Sequence, residues 1–146
     1  MRIFCDTNII TEFLEHRLQF DAVSRILNQA PDKHDLFLSE GGFYTLTFLV
    51  DKQLRRLEIY NPERLEKERK ILFRVLATFQ ISTAGSTGLG QGLSDDRFKD
   101  LEDSYQYQAA LNCKADVFLT INIKDFEGVK GCQEIKVMTP QDFLLS

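Results

Sequence analysis

Val117-Phe-Leu-Thr-Ile121 is an unbroken apolar and β-branched run between the polar residues Asp116 and Asn122. Such a run is typical of a strand that is buried on both faces of a sheet. Shorter apolar runs at residues 2–5, 36–38, 79–81 and 135–137 are the other candidate strands. Because stretches with helical spacing separate these runs, the sequence predicts an α/β fold with a central parallel sheet covered by helices on both faces.

The candidate helices are marked by apolar spacing and by capping residues. Residues 9–28 keep helical spacing with an interruption near residues 16–20, and residues 31–33, Pro-Asp-Lys, have the composition of a turn. The glycine-rich residues 84–93 are predicted to form a flexible loop or a glycine-weakened helix. The other helices begin with residues that suit an N-cap or a first turn: Ser39, Asn61 followed by Pro62, Asp100, and Thr139 followed by Pro140.

Length and composition fit one globular domain. The chain has 146 residues, so we expect a single domain over residues 1–146. The hydrophobic fraction of 43% and the charged fraction of 27% are those of a folded protein. No signal peptide is evident at the start, and no apolar run approaches the roughly 20 residues that a membrane span needs. These features predict a cytoplasmic protein that makes no contact with a membrane.

The cysteines, the histidines and the net charge limit which metal sites and which polyanions the protein can bind. The three cysteines include no CxxC pair, and the two histidines stand apart from other soft ligands. Any bound metal must therefore be held by oxygen ligands. The net charge of −4 works against tight, sequence-blind binding to a polyanion.

Several acidic and amide side chains are predicted to meet at one edge of the sheet. Asp6 follows the first strand, while Asn122 and Asp125 follow the strand at residues 117–121. Asp100 and Asp103 lie one turn apart at a helix start, so their carboxylates project to the same side. In open parallel sheets the working site lies outside the carboxyl ends of the strands, and this is where these residues should gather.

Crowded carboxylates favour a bound cation, because like charges raise each other's pKa unless a cation intervenes. Mg²⁺ or Mn²⁺ suits such a site, since hard ions prefer oxygen ligands and keep several waters. A metal of this kind can activate water and stabilise charge on a scissile phosphate. The acids therefore predict phosphodiester hydrolysis, with Asp6, Asp103 and Asp125 as catalytic candidates.

Each of these acids also has a structural explanation. Asp6 can serve only as an N-cap, and Asp103 can be the third residue of a capping box begun by Asp100. Asp125 can be an ordinary acid in a loop. The placement of all three at one predicted edge is what favours the functional interpretation.

Motifs at both ends of the chain resemble the PIN-domain family. The opening Ile3-Phe-Cys-Asp6-Thr-Asn8 is similar to the first strand of those proteins, which ends in Asp-Thr-Asn. The second half matches in order and spacing, through Asp100-Leu-Glu-Asp103-Ser-Tyr-Gln, Ala109-Ala-Leu111, residues 115–126 and the closing Thr139-Pro-Gln-Asp-Phe143-Leu. The similarity spans nearly the whole chain, with a weak middle.

This resemblance implies a three-layer α/β/α sandwich and metal-dependent ribonuclease activity with Mg²⁺ or Mn²⁺. Many PIN-domain proteins are toxins of bacterial toxin–antitoxin pairs, so it also implies an RNA substrate, a homodimer and a small antitoxin protein as partner. Carried over to this chain, the metal-binding residues are Asp6, Asp100, Asp103, and Asn122 or Asp125. The candidates for positioning the substrate are Thr7, Asn8, Glu40 and Thr45.

The middle of the chain departs from the family pattern. Thr45 stands near the position where many relatives carry a metal-site Glu on the second helix. Glu40 is the nearby acid, and it is either a substitute ligand or a favourable first-turn charge. Two other functions stay open. A phosphatase could use Asp6 as nucleophile, although Asn8 replaces its usual second Asp, and a PIN fold without turnover could bind RNA or a protein.

Overall fold

The computed structural model describes residues 1–132 and 134–146. Strands and helices alternate along this part of the chain. The elements are β1 (Arg2–Cys5), α1 (Thr7–Leu14), α2 (Phe20–Lys33), β2 (Asp35–Ser39), α3 (Glu40–Arg56), α4 (Glu63–Thr78), β3 (Gln80–Ser82), α5 (Gly85–Ser94), α6 (Leu101–Asn112), β4 (Val117–Leu119), a 3-10 turn (Ile123–Phe126), β5 (Lys136–Met138) and α7 (Pro140–Leu145).

The strands form one parallel sheet in the order β3-β2-β1-β4-β5. The central strand β1 pairs with β2 and with β4, so that Phe4 lies opposite both Phe37 and Phe118. All carboxyl ends therefore meet at the same edge of the sheet. The predicted α/β class with a central parallel sheet is confirmed.

The sheet is buried on both faces, because successive strand residues point to opposite sides. Ile3 and Cys5 join a core with apolar residues of α1, α2, α3, α4 and α7. Phe4 joins a second core with residues of α6, and its ring stacks on Phe118 at 5.1 Å between centroids. Two helical layers enclose the sheet, so the predicted three-layer α/β/α sandwich is confirmed.

Two local predictions need correction. Residues 31–33 are the last turn of α2 and not a free turn. Pro31 removes only one intrahelical N–H donor near the helix end, while buried Ile26 and Ala30 anchor α2 to the core. At α4 the N-cap position belongs to Pro62, although Asn61 Oδ1 still accepts a hydrogen bond from the Leu65 amide at 3.2 Å.

The glycine-rich stretch is a helix, α5, that packs closely on α6. A Cβ added at Gly92 would lie 3.0 Å from Cδ1 of Tyr105, and one added at Gly88 would lie 3.4 Å from Cβ of Gln108. Small residues on this side of α5 therefore allow the two helices to approach. In the described residues, no helix is long and apolar enough to span a bilayer.

Candidate active site

Polar side chains collect at the carboxyl edge of the sheet. Asp6 follows β1, Ser39 ends β2 and begins α3 as its N-cap, and Thr120 follows β4. The N-terminus of α6 brings Asp100 and Asp103 to the same region, because the charges of Asp6 and Asp100 both act on Asp103. The predicted edge is therefore where the structure gathers its acids.

Asp6 lies at the centre of this site and is 6% exposed. Its Oδ1 accepts a hydrogen bond from Gln106 Nε2 at 3.1 Å. Its Oδ2 accepts from Thr120 Oγ1 at 2.9 Å and from Asn8 Nδ2 at 3.2 Å. Three side chains therefore fix the orientation of the Asp6 carboxylate.

Asn8 and Thr120 tie the ends of β1 and β4 together around Asp6. Asn8 Nδ2 also donates to Thr120 Oγ1 at 3.2 Å, and Asn8 Oδ1 accepts from the Ile121 amide at 3.2 Å. The backbone amide of Asn122 donates to Thr120 Oγ1 at 3.1 Å. Asn8 thus supports the acid itself, a structural role that the Asp-Thr-Asn motif alone did not reveal.

The environment of Asp6 does not fit a simple N-cap. The residue occupies the N-cap position of α1, but its side chain makes no capping hydrogen bond. Burial raises the pKa of Asp6, and hydrogen bonds from Thr120 and Gln106 offset part of that increase. A buried carboxyl held by side chains from two other elements is positioned for more than helix capping.

Asp103 is half-buried and stands among other acids. Its backbone amide donates to Asp100 Oδ1 at 3.2 Å, which is the predicted cap of α6. Burial raises the pKa of Asp103 to about 7, and the charges of Asp6, Asp100, Asp125 and Glu102 add to this shift. Asp103 therefore lies within electrostatic reach of four other carboxyls.

No basic side chain neutralises this acid cluster in residues 1–132 and 134–146. None of the ion pairs there involves Asp6, Asp100, Glu102, Asp103 or Asp125. Clustered carboxylates without a cation destabilise each other, so the site favours an added positive charge.

Asn122 and Asp125 occupy the turn after β4. Both are exposed, and the Asp125 amide donates to the Asn122 carbonyl at 3.1 Å within the 3-10 turn. Asp125 contributes charge to the cluster, since it raises the pKa of Asp103. Within the described residues, neither side chain forms a hydrogen bond with the Asp6 carboxylate.

Glu102 is a site residue that the sequence did not single out. Thr45 Oγ1 on α3 donates to Glu102 Oε1 on α6 at 3.0 Å. Glu40 instead accepts from the hydroxyl of Tyr44 at 3.0 Å, one turn away on its own helix, which fits a first-turn charge. An acid from α6 thus reaches the place on α3 where the sequence has Thr45.

Two buried polar atoms near Asp6 have no partner within the described residues. These are Oε1 of Gln106, whose Nε2 holds Asp6, and Oγ1 of Thr7. Gln106 is 3% exposed and Thr7 is 5% exposed. Leaving a buried polar atom unpaired costs about 1–3 kcal/mol, so both atoms are suited to a ligand or to its waters.

The donor set is compatible with a hard cation that keeps most of its water. Within residues 1–132 and 134–146, no three His, Cys, Asp or Glu side chains are close enough to form a protein-only metal cage. Mg²⁺ is usually held by one or two carboxylates together with waters, which Asp6 and Asp103 could supply. The unpaired Gln106 oxygen offers an acceptor for such a water.

Comparison with solved structures decides the fold. The chain is similar to one in the structure of VapBC2 from Rickettsia felis bound to a DNA fragment from their promoter, with a TM-score of 0.68. The alignment covers 95% of this chain and 98% of that chain at 17% identity. This chain has the PIN-domain fold.

A second solved structure with the PIN-domain fold agrees. A chain of VapBC-1 from nontypeable Haemophilus influenzae matches with a TM-score of 0.66 and 16% identity, covering 97% of this chain and 99% of that chain. No family model matches the sequence, and no curated protein matches it. The similarity of the sequence motifs to PIN-domain proteins is thereby confirmed at the level of the fold.

Proposed function

We propose that this chain is a metal-dependent endoribonuclease that hydrolyses RNA phosphodiester bonds, and that it is the toxin of a type II toxin–antitoxin pair. The observation that carries the proposal is the acid cluster around Asp6 and Asp103, which has no basic partner in the described residues. The two solved structures compared with this chain are of VapBC toxin–antitoxin complexes, which supports the same conclusion.

Asp6 and Asp103 are the residues that would hold Mg²⁺ or Mn²⁺, with Asp100, Glu102, Asp125 and Asn122 around them. When bound, the ion would supply an activated water and stabilise charge on the scissile phosphate. Gln106, Thr120 and Asn8 fix the orientation of the Asp6 carboxylate through its three hydrogen bonds. Asp103, with a pKa of about 7 in the free protein, must lose its proton before its carboxylate can act as a ligand.

Glu102 completes this proposed acid set. Its Oε1 is held by Thr45 at the α3 side of the site, and its charge acts on Asp103. The carboxylate that the resemblance places on the second helix is, in this proposal, delivered from α6. In this proposal Thr45 stands where relatives carry a metal-site acid, and its role is to hold the Glu102 carboxylate.

The experiment that tests the proposal is metal-dependent cleavage. Purified protein is incubated with structured and unstructured RNAs in Mg²⁺ or Mn²⁺, and in EDTA. The Asp6→Asn and Asp103→Asn variants should abolish cleavage. Asp35→Asn is the matched control, because Asp35 is an exposed acid at the amino end of β2, on the opposite edge. Cleavage that survives both site substitutions would sink the assignment.

A PIN fold without turnover, acting as an RNA- or protein-binding module, is the second candidate. Thr45 in place of an acid and the net charge of −4 favour it. Such a module should bind RNA equally with and without metal and should release no products. The cleavage assay above separates the two functions.

A small antitoxin and a second copy of this chain are the proposed protein partners. An apolar groove lies between α1, α2 and α4, lined by residues that include Ile10, Phe13, Leu27 and Ile71. Copurification with the product of an adjacent small gene, and light scattering of the isolated protein, test the two assemblies. The RNA substrate would place the reaction in the cytoplasm.

A further inference from the structure

A groove beside the acid cluster runs between α3, α5 and α6. Its volume is about 790 Å³, within the range of about 300–1,000 Å³ that is common for small-ligand sites. We call it the α3–α6 groove; its lining includes Tyr44, Thr45, Leu89, Glu102, Tyr105 and Gln106. Glu102 and Gln106 belong to the acid site as well, so the groove is continuous with it.

Two tyrosine rings line the α3–α6 groove. Tyr44 is 65% exposed, yet its hydroxyl is tied to Glu40 Oε1 at 3.0 Å, one turn earlier on α3. Tyr105 lies on α6 with its ring against Gly92 of α5, where an added Cβ would lie 3.0 Å from Cδ1. A tyrosine side chain has few rotatable bonds, so it loses little entropy when a flat ligand stacks on its ring.

The charges of the α3–α6 groove do not suit a phosphate. Among the residues that the structure describes, no Lys or Arg lines it, whereas Glu40 and Glu102 do. Phosphate contacts in nucleic-acid binding depend on Lys and Arg. A ligand inside the groove should therefore present uncharged, flat and polar groups, as a nucleobase with its ribose does.

Gln106 provides a second indication of a ligand. It is 3% exposed, its Oε1 has no partner, and it lies in the groove wall next to Asp6. An unpaired carbonyl oxygen at this point can accept a hydrogen bond from a ligand group or from its water.

We propose that the α3–α6 groove binds an unpaired nucleobase of the RNA, next to the scissile phosphate, against the rings of Tyr44 and Tyr105. The proposal rests on the proposed ribonuclease function and deepens it. A base in a duplex is already stacked, so only an unpaired base can enter the groove.

The test measures binding of a short single-stranded RNA that contains 2-aminopurine to the full chain in EDTA. The fluorescence of 2-aminopurine should fall on binding. Tyr44→Ala should weaken binding about 10-fold, in line with the contribution of one base–aromatic stack, and should abolish the fluorescence change. Tyr44→Phe, which keeps the ring, should retain most of the affinity. Tyr60→Ala is the matched control, since Tyr60 is 70% exposed and lies outside the α3–α6 groove.

Two further arms separate stacking from other modes of binding. The ratio of the Tyr44→Ala and wild-type dissociation constants should be the same at about 50 and about 200 mM salt, because stacking releases no counterions. A duplex of the same sequence should bind Tyr44→Ala and wild-type protein equally. If Tyr44→Ala lowers the affinity for single-stranded RNA and for the duplex equally, the proposal is wrong.

The base-binding proposal and the ribonuclease function can fail separately. If Tyr44→Ala binds the single strand as tightly as wild-type protein, the groove does not take a base and is left to a protein segment, and the proposal is wrong. If wild-type protein binds in a Tyr44-dependent way but never cleaves RNA in Mn²⁺, the ribonuclease function fails while the base site stands.

Discussion

The hydroxyl of Thr45 donates a hydrogen bond to Oε1 of Glu102 at 3.0 Å, joining α3 to the first turn of α6. The two residues are 57 positions apart in sequence. Their contact brings an acid to the part of α3 where the sequence itself offers none. If Glu102 belongs to the acid set, cleavage should depend on its negative charge and not on which helix carries the carboxylate.

Glu102→Gln should therefore lower metal-dependent cleavage about 10-fold, which corresponds to about 1.4 kcal/mol of transition-state stabilisation. The double variant Thr45→Glu/Glu102→Gln returns a carboxylate to the same contact from the α3 side and should recover part of the lost rate. Initial rates give one measurement, and calorimetric titration with Mn²⁺ gives a second that does not depend on turnover. A double variant no better than Glu102→Gln would show that Glu102 acts in another way.

A second prediction concerns Thr120, which is fully buried and connects Asp6, Asn8 and Asn122. Thr120→Val keeps the shape but removes a hydroxyl that donates once and accepts twice. Because Asp6 Oδ2 loses its shortest hydrogen bond, the free energy of unfolding should fall by about 1–3 kcal/mol and Mn²⁺ affinity should fall with it. Thr120→Ser keeps the hydroxyl and serves as the control in urea unfolding and in metal titration. Unchanged stability in Thr120→Val would mean that Asp6 does not depend on this contact.

Much of the fold follows from local sequence features. The apolar runs that mark the five strands are short, but stretches with helical spacing separate most of them, and three helices begin with a side-chain cap. Ser39, Asp100 and Thr139 cap α3, α6 and α7 through side-chain hydrogen bonds to Gly42, Asp103 and Asp142. The prediction of a turn at residues 31–33 was wrong, because tertiary burial of Ala30 and Ile26 extends α2 through Pro31.

The site was only partly predictable, for a physical reason. Asp6, Asp100 and Asp103 could be placed because strand ends and helix starts of a parallel sheet share one edge. Gln106 and Glu102 could not, since their roles depend on how α6 packs beside β1 and α3. Contacts such as Gln106 to Asp6, which are 100 residues apart, leave no periodic signal in a single sequence.

The pKa of Asp103 predicts how stability depends on pH in the metal-free protein. In the folded state the pKa is about 7, whereas in the unfolded chain an Asp has a pKa of about 3.9. Between these values the folded state binds more protons than the unfolded state, so the free energy of unfolding should decrease as pH rises from about 4 to about 7. Burial and the neighbouring acids both act in this direction.

Asp103→Asn removes this contribution and should stabilise the protein at pH 8 in EDTA by about 1–2 kcal/mol, a modest value because water screens the half-exposed group. At pH 4.5 the two proteins should differ much less. Urea unfolding at both pH values measures the difference, with Asp35→Asn as the control acid. Mn²⁺ should restore the free energy of unfolding that the wild-type protein loses at pH 8. It should leave the free energy of unfolding of Asp103→Asn unchanged. A variant that is less stable than wild type at pH 8 would contradict the proposed charge crowding.

The last prediction concerns two glycines of α5 that differ only in what faces them. A Cβ at Gly90 meets nothing within 4 Å, whereas a Cβ at Gly92 would lie 3.0 Å from Tyr105 Cδ1 and 3.2 Å from Ser104 Oγ. Gly90→Ala should raise the free energy of unfolding by about 0.5–1 kcal/mol, because alanine favours the helix. Gly92→Ala should lower it by about 1–3 kcal/mol, since α5 must move away from α6.

Displacing α5 also frees the ring of Tyr105, so Gly92→Ala should weaken single-stranded RNA binding while Gly90→Ala leaves it unchanged. Denaturant unfolding and the 2-aminopurine assay together check both effects, and equal stability of the two variants would argue against the close α5–α6 contact.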